Sequence, residues 1–356
     1  MSCDTLSQIL DLARWAPSGD NTQPWRFEIV SDALVRIHGS DTRDHVLYDF
    51  DGHAGHIAHG ALLETLRIAA TGFGRQASWT VNSSAEDRSP TYDITLMPVQ
   101  SVIKDPLFEC IEKRTVQRRP MQTTPLTDTQ RRALVETAGE DFNVQLFESP
   151  IQRMRVAKLL WNSAKIRLTC PEAYPVHRDI IEWRVRYSKD RIPDQAVGLD
   201  PVTTRLMQWV LQSWGRVAFF NRFLMGTVPP RLQLDWLPAL SCAAHMLVRP
   251  KRKPLRLEDW LHLGTGMQRI WLTATLHGLH LQPQMTPVIF RWYARAGHRF
   301  STEPTLFEQA LKLSGDFERI ANAAPTDDFG FFARVGISQV PQSRSLRQDL
   351  VALMKV

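Results

Sequence analysis

Two long stretches of this chain repeat one another, and an internal duplication constrains a fold more than any single motif does. HIAHGALLETLRIAATGFG at 56–74 lines up without gaps against HLGTGMQRIWLTATLHGLH at 262–280, so that Gly60, Leu66 and Gly72 fall on Gly266, Leu272 and Gly278. In the first copy Leu62, Leu63, Leu66, Ala69 and Ala70 recur every three to four positions, the pattern of a buried helix face. Each copy is expected to be a long core helix that ends at a glycine suited to the left-handed conformation. A weaker match joins LSQILDLARWAP at 6–17 to TQRRALVETAGEDF at 129–142, each followed by a strand-like run, RFEIV or NVQLF. The order helix, strand, helix therefore occurs twice.

The halves are unequal, because roughly eighty extra residues, about 150–240, separate the matched elements of the second. They hold Trp161, Trp183, Trp209, Trp214 and Trp236 beside Arg184, Arg186, Arg191, Arg216 and Arg222. Such a segment suits either a lid that stacks on a flat ligand and screens its charge, or a helical layer packed on the core. The 356 residues, 43% hydrophobic, suffice for one large domain or two ordinary ones. No run approaches the roughly eighteen apolar residues of a membrane span, and the opening segment lacks the pattern of a signal peptide. A cytoplasmic protein without a membrane partner is expected.

Cys3, Cys110, Cys170 and Cys242 are widely spaced and read as buried thiols rather than a disulfide or metal framework. Lys and Arg exceed Asp and Glu, 43 against 37, which favours anionic ligands such as phosphates and dinucleotides. Nucleic acid is not expected, since the basic residues are scattered and match no binding motif. The densest run, Arg249, Lys251, Arg252, Lys253 and Arg256, is broken by Pro250 and Pro254 and reads as a solvated loop rather than a site for the 2′-phosphate of NADPH. His53, His56 and His59 recur every three residues, whereas helical zinc sites prefer a four-residue spacing and a carboxylate or thiolate partner, so no metal is expected.

Ala16-Pro17-Ser18-Gly19-Asp20-Asn21-Thr22-Gln23-Pro24-Trp25 lies between a helix and a strand and crowds turn formers with amides and hydroxyls. Asn21 and Gln23 each offer a carbonyl and an NH2, which together match the alternating acceptors and donor along the pyrimidine edge of an isoalloxazine ring. Ser18 and the backbone at Gly19 add donors. The string resembles the APSxxNxQPW signature of the nitroreductase superfamily. That resemblance implies an α+β fold, a mixed sheet flanked by helices, and a cofactor-binding role for Pro17, Ser18, Gly19, Asn21 and Gln23 toward FMN.

Members of that superfamily usually begin with an Arg-Ser-x-Arg type segment that binds the flavin phosphate, and none precedes residue 16 here. Lys113-Arg114-Thr115-Val116-Gln117-Arg118-Arg119-Pro120 resembles it instead. Arg114, Thr115 and Arg118 supply the guanidinium forks and hydroxyl that a phosphate dianion wants. Gln117 stands where relatives carry a basic residue, which leaves Lys113, Arg118 and Arg119 open as the true ligand. The first half thus keeps the loop and the second keeps the phosphate segment, with Gly139-Glu140-Asp141-Phe142 where its loop would be.

This split is similar to the Acg-type tandem nitroreductase-like proteins, as is the helix Gly60-Ala61-Leu62-Leu63-Glu64-Thr65-Leu66-Arg67-Ile68-Ala69. The resemblance implies residues 1–105 as a first half and 106–356 as a second, one chain imitating the usual homodimer with one complete flavin site, so that further association is not required. It also implies Arg344 in the closing segment as a phosphate ligand, and places Gln282-Pro283-Gln284-Met285 where relatives direct a backbone N–H toward flavin N5. Hydride transfer from NAD(P)H or another donor to an electron-poor small molecule is the activity implied, with no side chain assigned as acid or base. A non-catalytic flavin-sequestering protein, its site closed by the insertion, is the alternative.

Overall fold

A computed structural model describes residues 2–82 and 87–355, apart from the side chains of residues 2–4, so the Cys3 thiol lies outside the described residues. The first part runs through helix α1 (Ser2–Ala13), strands β1 (Trp25–Ser31) and β2 (Leu34–Gly39), helix α2 (His53–Thr71), and strands β3 (Arg75–Asn82) and β4 (Thr91–Pro98). The strands form an antiparallel sheet in the order β1-β2-β4-β3. One sheet face is apolar because side chains alternate along a strand: Val35 and Ile37 of β2 and Tyr92, Ile94 and Leu96 of β4 are buried. Leu62, Leu66, Ala69 and Ala70 of α2 share a core with these residues.

The second part carries helix α3 (Asp128–Glu136), strand β5 (Phe142–Phe147), helix α4 (Pro150–Thr169), strand β6 (Ala244–Pro250), helix α5 (Leu257–Leu276), strand β7 (His280–Pro283), helices α6 (Thr286–Arg295) and α7 (Pro304–Ala321), and strand β8 (Phe331–Gly336). Thr127 with Gln130, and Ser149 with Gln152, form capping boxes that start α3 and α4. The second sheet is antiparallel in the order β5-β6-β8-β7, which repeats the first position by position. Both sheets acquire a mixed character at an edge, through the single parallel bridges Phe27 with Met354 and Val116 with Leu281.

Helices α2 and α5 cross where a Cβ on Gly60 would meet the Leu261 carbonyl oxygen at 2.0 Å, and a Cβ on Gly264 the Ile57 carbonyl oxygen at 2.2 Å. Beside the crossing, Gln268 donates to Thr65 Oγ1 (2.9 Å) and Arg269 pairs with Glu64 (2.8 Å). Gly74 (φ +65°) and Gly278 (φ +70°) take the left-handed conformation after the two helices. All of these correspondences, Gly60 to Gly264 and Gly74 to Gly278 alike, share an offset of 204. The gapless sequence match, with Gly60 on Gly266 and Gly72 on Gly278, is thus two residues out of register. Gly72 itself has a right-handed φ of −67°.

Residues 148–243 separate the adjacent strands β5 and β6, whereas Asp32 and Ala33 alone separate β1 and β2. This insertion serves two structural purposes. Leu159, Leu160 and Ile166 of α4 belong to the second core, and Trp161 meets Trp236 edge to face at 5.9 Å under a stacked Arg231 guanidinium. Two further helices, Pro201–Val210 and Trp214–Phe223, form an outer hairpin.

Candidate functional site

The loop after α1 is backbone-strained. Asp20, Asn21 and Gln23 all have positive φ (50°, 64° and 49°), a conformation that side chains disfavour and that clusters at functional sites. Ser18 Oγ accepts the Gln23 N–H (3.0 Å), and the Thr22 N–H donates to the Gly19 carbonyl (3.0 Å). The Pro24 carbonyl is held by His59 at 2.8 Å. Burial pushes that imidazole down to about 4, so it is neutral near pH 7.

The two amides of the loop meet the chain's own backbone. Asn21 Nδ2 donates to the carbonyls of Lys189 (3.1 Å) and Arg191 (3.4 Å), and Gln23 Nε2 to those of Asn21 (3.0 Å) and Lys189 (2.9 Å). Gln23 Oε1 accepts the Gln348 N–H at 2.9 Å. The insertion and the C-terminal tail are therefore seated on the loop, and Asn21 Oδ1 is left buried without a partner.

Beside the loop three guanidinium groups converge. Arg114 Nη2 donates to the Trp15 carbonyl (2.8 Å), Arg347 Nε donates to the Ala16 carbonyl (3.0 Å), and Arg344 Nη1 donates to the Glu112 carbonyl (3.1 Å). Arg344 lies over the Trp15 ring at 4.8 Å and Arg114 over the Trp271 ring at 4.6 Å. Among the described residues no carboxylate is within ion-pair distance of any of the three. Burial, then the charges of Arg347 and Arg344, hold Arg114 well below the ordinary arginine range, and burial with Arg344 and Arg14 pushes Arg347 down to about 9.

Uncompensated buried cations are costly, and an anion is what relieves them. Arg114 Nε, Arg344 Nε and Trp15 Nε1 are buried donors without partners. These residues fit a phosphate monoester: orphaned N–H groups, clustered positive charge, and a strained donor-rich loop alongside.

Of the segment 113–120, only Arg114 joins this cluster. Lys113 and Arg119 are exposed and Thr115 is half-buried. Arg118 donates weakly toward the Ala196 carbonyl (3.4 Å), and the charge it feels is that of Asp20. Gln117 is a scaffold: its amide donates to Ser338 Oγ and the Gln339 carbonyl, both at 2.9 Å. Arg347 has no counterpart among the residues expected from sequence, and Arg334, which opens the closing segment, has no role assigned there. Arg334, buried in β8, donates to the carbonyls of Gln117, Arg118 and Arg119 and so holds the segment in place. A lone arginine in the apolar run FFARVG was its signal.

Met285 caps the start of α6, with its sulfur facing the Phe332 N–H at 3.5 Å. The insertion contributes to a half-buried polar set: Arg167 pairs with Asp235 at 3.2 Å, and Tyr48 Oη of the first part meets His177 Nε2 at 2.7 Å. Burial raises Asp235 to about 6. Each residue of the histidine series has its own local partner. His53 stacks on Trp260 at 3.7 Å and His56 faces the Asp87 carbonyl at 3.0 Å. Among the described residues no three His, Cys, Asp or Glu side chains are grouped to hold a metal ion.

The sequence model of the Nitroreductase family matches residues 1–53, a span that contains the strained loop. This N-terminal segment is thus similar to the Nitroreductase family. Within the nitroreductase match lie Ser18, Asn21 and Gln23, while Arg114, Arg344 and Arg347 lie beyond it. An uncharacterized protein of Mycobacterium tuberculosis (strain CDC 1551 / Oshkosh) is 26% identical over 324 residues, covering 86% of this chain and 42% of its own length, so the chain spans less than half of that relative. Among solved structures, the FMN-dependent nitroreductase NfnB of Mycobacterium smegmatis in complex with NADPH aligns at 13% identity over 70% of this chain and 97% of its own, TM-score 0.39. A nitroreductase with bound FMN from Desulfitobacterium hafniense DCB-2 aligns at 13% identity over 71% of this chain and 100% of its own, TM-score 0.37. These structural likenesses are too distant to bear on the site.

Proposed function

We propose that the chain is an FMN-dependent oxidoreductase of the nitroreductase type, carrying electrons from NADPH or NADH to an electron-poor small molecule such as a nitroaromatic or a quinone. The observation that carries this reading is the cluster of Arg114, Arg344 and Arg347 beside the loop 17–23, with no carboxylate at ion-pair distance among the described residues. FMN, when bound, supplies two-electron hydride chemistry. The three guanidinium groups would hold its phosphate, and the loop at Ser18, Gly19, Asn21 and Gln23 would address its polar edge once the Asn21 and Gln23 amides exchange their present carbonyl partners. Basic groups near the ring favour the reduced, more anionic form. Met285 is assigned the backbone contact that steers hydride transfer.

In this reading residues 1–105 and 106–356 are two nitroreductase-like halves in one cytoplasmic chain, and the site is composite, with its loop from the first and its phosphate segment from the second. The repeated strand order and the constant offset between α2 and α5 support that division. A second reading, flavin sequestration without turnover, is favoured by one observation: the Asn21 and Gln23 amides are engaged by Lys189, Arg191 and Gln348 of the insertion and tail.

Anaerobic addition of NADPH or NADH to the FMN-reconstituted chain separates the two. Visible flavin absorbance that bleaches and returns with air supports the oxidoreductase. Bound flavin that stays oxidised selects sequestration, and a chain that binds no flavin defeats both.

A further inference from the structure

The outer hairpin of the insertion presents an apolar surface that is left exposed among the described residues. On its first helix, Val202, Leu206 and Trp209 are exposed at spacings of four and three residues, and so share one face. On the second, Phe219 and Phe223 are 52% and 62% exposed, followed by Leu224 and by Met225 at 69%. The rings form one continuous patch across both helices: Trp209 to Phe220 (5.8 Å), Phe220 to Phe219 (6.2 Å), and Phe219 to Phe223 (5.2 Å).

The charge of this segment is one-sided. Residues 201–234 contain no Asp or Glu and four arginines, Arg205, Arg216, Arg222 and Arg231. Arg231 is buried over Trp161. Arg216 lies over the Trp209 ring at 4.3 Å and Arg222 over the Phe223 ring at 5.3 Å, so positive charge borders the apolar patch itself.

We infer that this hairpin is a peripheral docking surface for an anionic phospholipid membrane. Aromatic and aliphatic side chains that enter the headgroup boundary, flanked by arginines and free of acids, are what such a surface selects. A second copy of the chain is the weaker occupant. A twofold contact would pair the patch with itself, so that Arg205, Arg216 and Arg222 would meet a partner surface that brings arginines and no carboxylate from residues 201–234. Among the described residues no helix is long and apolar enough to cross a membrane, so the contact is adsorption rather than insertion. The sequence-based expectation of no membrane partner rests on the lack of a spanning apolar run, and surface adsorption is a separate proposal. The inference does not rest on the flavin reading, and either stands without the other.

Vesicle co-sedimentation of the full chain tests it, with phosphatidylcholine vesicles compared against equal parts phosphatidylcholine and phosphatidylglycerol. Binding to the anionic vesicles alone, weakened by added salt, is expected. The double variant Phe219→Asp, Phe223→Asp should abolish it with an unchanged melting curve. Arg222→Ala should weaken it roughly fivefold, the effect of one surface arginine. Equal binding to both vesicles, no binding to either, or wild-type binding by the double variant would overturn the inference. So would a dimer in solution that the double variant dissociates, without any vesicle binding, which would assign the patch to a second copy.

Discussion

Gly60 and Gly264 face each other across the crossing of α2 and α5, where each leaves room for a carbonyl oxygen of the opposite helix. A methyl group at either position would displace backbone rather than a flexible side chain. Gly60→Ala and Gly264→Ala should therefore each destabilise the fold by about 3 kcal/mol, at the upper end for overpacked sites. Denaturant unfolding measures this. Wild-type stability in both variants would mean that the helices are not in this contact.

The arginine cluster separates residues that sequence alone left equivalent. Arg347→Ala should weaken FMN binding about tenfold to a hundredfold, the loss of one hydrogen-bonded charge. Arg114→Ala and Asn21→Ala should likewise lower flavin occupancy. Lys113→Ala, at an exposed position, should leave affinity unchanged. Fluorescence titration of FMN against these variants decides the matter. Equal losses in the Lys113 and Arg347 variants would contradict the placement of the phosphate.

Acid should destabilise the fold before most carboxylates titrate. Burial pushes His59 and His245 down to about 4 from an ordinary 6.5. The unfolded chain thus takes up protons below about pH 6.5 that the native state refuses until about pH 4. Each group removes about 1.4 kcal/mol per pH unit across that window. His53 and His177, both lowered to about 3, act in the same direction. Asp235, raised to about 6 by burial, opposes them between its ordinary 3.8 and that value, as do Asp20 and Asp328, also raised by burial, while His56 and His280, lowered by burial, add to the four imidazoles. The melting temperature should fall on going from pH 7 to pH 5. A flat profile would show that these imidazoles are not buried in the neutral form.

The loop was legible because its chemistry is local: Ser18, Asn21 and Gln23 stand within six residues and their turn is closed by their own hydrogen bonds. The paired helices were legible from periodicity, but their register was not. Gly264 and Gly266 both lie in the second helix, and identity cannot tell which small residue meets Gly60. Arg347 was hidden because its role comes from the tail folding back onto Trp15 and Ala16, more than three hundred positions earlier. The engagement of Asn21 by Lys189 and Arg191 is equally long-range, and no periodicity in the insertion announces it.

The most direct test of the composite site is the ratio of bound FMN to chain, read from visible flavin absorbance and protein concentration after reconstitution and removal of free flavin. One FMN per chain is expected, in a species that elutes as a monomer. Two per chain would mean that both halves keep a working site, and none, or binding confined to a dimer, would contradict a site completed within a single chain.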